Sequence, residues 1–189
     1  MPLSEGLNTG DSQNIEYCYA ASRIYLGIGE ALYKLRKEDE ALQNLRRAVE
    51  LQKSIAIVAP ERIWNLRVLS RAYTLMGGAL LNRGHQDQAW ALHEGLGVAD
   101  RILERAPSSL YHQLDRADVL EAMGQYYLVL AKHPGGRLAD SKRLKTEGRS
   151  YFQESLAIWQ DWTRRNVATP YSGRRESQVL AYLTSCDQL

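Results

Sequence analysis

The chain has 189 residues, 44% of them hydrophobic and 24% charged, the proportions of a globular protein rather than a disordered or membrane-spanning one. Its 24 Lys and Arg against 22 Asp and Glu leave a formal charge of +2, too little to hold a nucleic acid or a membrane surface by net charge. Cys18 and Cys186 stand at opposite ends with no zinc or redox spacing, so a reducing, cytoplasmic compartment is expected; neither Met1 to Gly10 nor any later window has the apolar run of a signal peptide or bilayer span.

Residues 1–11 read as a flexible tail. Apolar residues then recur at helical spacing, at Tyr17, Ala21, Ile24, Ile28, Leu32 and Leu35, and predict a helix over 12–35. Ala41, Leu45, Ala48 and Ile55 predict a second over 39–58, and Leu66, Leu69, Tyr73, Met76 and Leu80 a third over 61–83. The same period predicts four more, at 86–105, 109–132, 141–163 and 173–186. Pro60, Pro107, Pro134 and Pro170 fall between these stretches, where a missing N–H and a fixed φ cost least. Alternating, strand-like runs are absent, so the expected fold is all-α.

Three glycines break otherwise strong helices at intervals of 48 and 47 residues: Gly29, Gly77 and Gly124. A glycine within a helix costs about 1 kcal/mol relative to alanine, so three in register imply a packing reason. Around them the same face repeats, with Tyr25, Tyr73 and Leu120 four residues before and Leu32, Leu80 and Tyr127 three after. Ile28, Met76 and Met123 immediately precede them. Twelve residues after the first two stand Ala41 and Ala89, small residues expected to let the second helix of each pair approach. In the third unit Gly148 takes that place only after 24 residues, an insertion of 12. Pro134, Gly135 and Gly136 interrupt it, and Lys132, Arg137, Lys142, Arg143 and Lys145 face only Asp140, so it reads as an exposed basic loop leading into a helix. The repeat units are 12–59, 60–107 and 108–163 within one domain, 12–189, and the helix at 173–186 covers the last apolar face.

These positions resemble the tetratricopeptide repeat. They read Tyr25, Ile28, Gly29, Leu32, Ala41, Leu45 and Ala48 in the first unit, then Tyr73, Met76, Gly77, Leu80, Ala89, His93 and Leu96. The third has Leu120, Met123, Gly124, Tyr127, Gly148, Phe152 and Ser155. The units exceed the family's usual length and are closer to the long-helix form of kinesin light chains, while His93 and Leu96 depart from its pattern. The resemblance implies a right-handed solenoid of three helix pairs with a C-terminal capping helix. It also implies a non-catalytic scaffold that holds a peptide or helix of a partner protein in a concave groove. A second resemblance, of Ser150 to Trp162 and Ser172 to Asp187, is to the C-terminal repeat region of bacterial serine/threonine kinases, and implies a kinase-containing polypeptide. The phosphate loop and catalytic motifs of a kinase are absent from the chain.

Chemistry-bearing motifs are otherwise missing. His85, His93, His112 and His133 form no ligand pair on one helical turn, Gly95-Leu-Gly97 lies in a helical pattern with no strand before it, and no nucleophile has an activating context. Neither an enzyme, a metal nor a cofactor is expected. The groove of the implied solenoid is lined by Arg23, Leu26, Glu30 and Lys34, by Arg71, Thr74, Gly78 and Asn82, and by Asp118, Glu121, Gln125 and Val129. It lacks the carboxylate clamp of chaperone-binding repeats, whose Asn is here Glu30, Gly78 or Gln125; read without the resemblance, these are solvated helix faces. Trp64, Trp90, Trp159 and Trp162 are expected mostly in the core, Trp159 on the inward face of the sixth helix. Lys132 to Arg175 carries a charge of +6 and leaves −4 for the rest. That segment is either a solvated patch or a docking site for an acidic or phosphorylated segment. Homodimerisation through aromatics and oppositely charged ends is the alternative function.

Overall fold

The computed structural model describes residues 12–60, 62–84, 90–132 and 138–188, and seven helices lie among them. They are α1 (Ser12–Lys34), α2 (Glu38–Val58), α3 (Ile63–Asn82), α4 (Trp90–Arg105), α5 (Leu110–Ala131), α6 (Leu138–Arg164) and α7 (Pro170–Gln188). Among the described residues there is no strand, and no helix is long and apolar enough to cross a membrane. The expected tail 1–11 lies outside the described residues, as do Ala89 and Arg137.

Local chemistry explains the helix ends. After α1, Arg36 takes a left-handed φ of 59°, which returns the Lys37 N–H to the Leu32 carbonyl at 3.0 Å; after α6, Asn166 at 57° does the same for Val167 and Trp162 at 3.0 Å. Glu38, Asp39 and Glu40 open α2 at the positive end of its dipole. Helix α7 begins at Pro170, earlier than the sequence pattern expects, because Thr169 and Ser172 form a reciprocal cap. The Ser172 hydroxyl accepts from the Thr169 N–H at 2.8 Å, and the Thr169 hydroxyl accepts from the Ser172 N–H at 3.2 Å. Proline suits the first helical position, where its missing N–H has no intrahelical acceptor.

The helices gather into two compact units that divide between Ala106 and Pro107, where the repeat reading expects one continuous domain. In the first unit α1 packs on α2 and α3 on α4, while α3 also packs against both α1 and α2. Its core holds Leu42, Leu45, Val49, Leu69, Tyr73, Met76 and Ile102, with a satellite of Cys18, Leu51 and Ile55. In the second unit α6 packs against α5 and α7, around Phe152, Trp159, Trp162 and Val179. Trp159 is fully buried, as its inward position predicts, while Trp64 and Trp90 are exposed.

The repeated glycines have a common steric cause. A Cβ on Gly29 would lie 2.7 Å from Leu45 Cγ, and one on Gly124 would lie 2.6 Å from Phe152 Cε1. A Cβ on Gly77 would meet Leu92 more closely still. Each glycine on the first helix thus receives a large side chain from the second, so small meets large as well as small. The small contacts are present too: Ala41 is fully buried with its carbonyl near Gly29, and Gly148 rests on the Gly124 carbonyl. In the second unit the side chain on the glycine is Leu92, not His93, and the buried small residue is Gly95, not Leu96. Leu92 follows Gly77 by 15 residues where Leu45 follows Gly29 by 16, so the apparent departures at His93 and Leu96 are a shift of register by one residue.

Candidate functional site

In the first unit, groove positions on α1 and α3 are joined by side-chain bonds. Arg71 reaches Glu30 with both arms, Nε at 3.1 Å and Nη2 at 2.9 Å, and Lys34 donates to the same carboxylate at 2.9 Å. Burial alone would raise the Glu30 carboxyl, but the two cations outweigh it and hold its pKa below the ordinary value. Farther along, Asn82 donates to Glu38 at 3.3 Å and Arg83 pairs with Asp39. Thr74 turns its hydroxyl to the Ser70 carbonyl at 2.9 Å, and Tyr33 from α1 lies over Gly78, where a Cβ would stand 2.8 Å from its hydroxyl. Arg23 is exposed, with its guanidinium 5.7 Å from the Tyr19 ring. Leu26 departs from the expected lining, because it is buried in the core of the unit.

In the second unit the expected groove residues are tied to α7, with Glu121 buried, Asp118 half-buried and Gln125 exposed. Asp118, Glu121 and Gln125 follow one face of α5, and α7 lays Arg175 and Tyr182 on them. Arg175 Nη2 is 2.7 Å from Asp118 and 2.9 Å from Glu121, while Gln125 donates to the Tyr182 hydroxyl at 3.0 Å. Glu121 is buried to 2% exposure, not groove-lining, and its Oε1 accepts from Ser155 and from the Trp159 indole, each at 3.2 Å. Burial pushes its carboxyl up to about 7 against the pull of Arg175 and of these hydrogen bonds. Sequence reasoning misses Arg175, Tyr182, Ser155 and Trp159 as partners of this face. A signal exists: three residues before the repeat glycines, the first two units have the uncharged Leu26 and Thr74, and the third has Glu121. A charge at an apolar-to-neutral position needs an internal partner.

The basic insertion is not a loop where its cations cluster. Lys142, Arg143 and Lys145 lie in the first turns of α6, which begins at Leu138, while Lys132 sits in the turn after α5. Leu144 and the buried Gly148, four residues apart, share a face of the re-entering helix, which extends back into the insertion as far as Leu138. Lys142 and Arg143 are exposed. Arg143 also lines a groove of about 430 Å³ along α6, shared with Thr146, Glu147, Ser150, Tyr151 and Glu154, so its field is mixed rather than purely basic. Other cations of the segment are engaged elsewhere: Arg164 and Arg165 with Asp161, and Arg175 with Asp118 and Glu121. Among the described residues no group of three or more His, Cys, Asp or Glu is arranged to hold a metal ion.

No protein-family model matches the chain, and neither a curated protein nor a solved structure is found similar to it.

Proposed function

We propose that the chain is a non-catalytic protein–protein interaction module, a right-handed tetratricopeptide-like stack that holds a peptide or helix of a partner along the side formed by the first helix of each pair. The observation that carries this reading is the network of Glu30, Lys34 and Arg71, which joins α1 to α3 and makes one polar surface from separate repeat units. The recurrence of one steric device at Gly29, Gly77 and Gly124 supports the repeat itself. Because Arg175 of α7 is paired with Asp118 and Glu121, and Glu121 is buried, the binding side in this reading is confined to α1 and α3. The resemblance of the C-terminal segment to kinase repeat regions supports a kinase-containing polypeptide, and the buried thiols of Cys18 and Cys186 suit a cytoplasmic one.

An array of acidic, basic and neutral peptides, probed with the full chain, tests this. Binding of a subset should fall on Arg71→Ala or Asn82→Ala and stay unchanged on Gln178→Ala, which is on α7. Equal binding by all three variants would remove the α1 and α3 side from the reading.

A further inference from the structure

The outward face of α1 is apolar and bare. Tyr17, Ile24 and Ile28 on α1 are 71%, 62% and 44% exposed, and Leu35, the first residue after it, whose N–H still bonds the Ala31 carbonyl at 3.1 Å, is 68% exposed. At 100° per residue they fall within about 40° of one another, a single stripe along the helix. The corresponding residues of α3, at the same offsets from the repeat glycine as Ile24 and Ile28, are Ala72 and Met76, which are 0% and 3% exposed in the core of the unit. The repeat therefore treats these positions as covered ones, and on α1 nothing among the described residues covers them.

We propose that a second copy of this chain covers the stripe, with the two α1 helices antiparallel about a two-fold axis level with Leu26. The intervals along the stripe are seven, four and seven residues, which read the same in both directions. Reversal about Leu26 therefore sets Tyr17 against Leu35 of the second copy and Ile24 against its Ile28, the self-complementarity that an isologous interface requires. Ala20, Gly27 and Ala31, all exposed, lie beside the large residues and leave room for close approach; a Cβ on Gly27 would meet nothing within 4 Å.

The charges agree with the same axis. Glu16 and Lys34 flank the two ends of the stripe on one side, with opposite sign. A two-fold axis across antiparallel helices sets this edge against itself. Lys34 of the second copy then lies about 3 Å along the axis from Glu16, at 1.5 Å of rise per residue. The acid at one end of this edge meets the base at the other. Lys34 is also a groove candidate, but Ile24 and Ile28 belong to the dimer face alone, so the two readings fail separately.

Sedimentation velocity of the full chain, from submicromolar to high micromolar concentration, tests the proposal. The chain should pass from monomer to dimer. Ile24→Glu with Ile28→Glu should remain monomeric while its circular dichroism stays unchanged, since both side chains are exposed. Glu16→Lys, which sets like charges together twice in the dimer, should raise the dissociation constant roughly tenfold. Adding Lys34→Glu should restore it, although the bond from Arg62 to Glu16 within the chain, 2.6 Å long, stays broken. A monomer at every concentration, a dimer indifferent to Ile24 and Ile28, or a charge swap without restoration would overturn the antiparallel pairing.

Discussion

Arg175 on α7 holds its guanidinium 2.9 Å from the carboxylate of Glu121 on α5, and the acid it faces is almost wholly buried. The last helix is thus bound to the second unit by a charge as well as by apolar packing. Removing one member of a buried pair leaves the other uncompensated. Arg175→Ala should cost about 1 to 3 kcal/mol at about pH 8, and less at about pH 5, where Glu121 carries a proton. Urea unfolding at the two pH values checks this.

Glu121 also sets a pH dependence of its own. Its folded-state pKa of about 7 stands above the ordinary 4.5, so the folded chain binds the proton more tightly than the unfolded one. The contribution is fully present below about 4.5 and is lost as pH rises through about 7. The loss amounts to about 3 kcal/mol. Glu121→Gln keeps an oxygen for Trp159 and Ser155 but has no proton to lose, so its stability should vary little over that window while the unaltered chain weakens.

The glycines divide into two kinds that a single substitution separates. Alanine normally stabilises a helix interior by about 1 kcal/mol over glycine. Gly97→Ala should do so, because a Cβ there meets nothing within 4 Å. Gly77→Ala should instead destabilise by about 1 to 3 kcal/mol, since the new methyl collides with the fully buried Leu92. Thermal unfolding midpoints should move in opposite directions.

The cations of α6 are predicted to act together if they act at all. Exposed ion pairs are worth about 0 to 1 kcal/mol each, and salt screens them. Because Lys142, Arg143 and Lys145 are helical, Gln is the neutral replacement that preserves helix propensity, whereas Ser would weaken α6. The triple Gln variant should melt within a few degrees of the unaltered chain and lose binding to an acidic peptide at low ionic strength. Retained binding would assign these side chains to solvent.

What the sequence determined by itself was periodic and local. The apolar spacing and the prolines locate all seven helices, and Gly29, Gly77 and Gly124 mark where helices cross closely, because both signals come from residues a few positions apart. What only the tertiary structure decided was which faces are covered. Tyr17, Ile24, Ile28 and Leu35 have the period of a core face and yet lie outside, since periodicity says that residues share a side of a helix and not that another element lies against it. Glu121 reads as a groove residue until Arg175, far along the chain, arrives to neutralise it. Leu92, not His93, fills Gly77, because which side chain reaches the glycine is set by how the two helices pack and not by a fixed residue count along the chain.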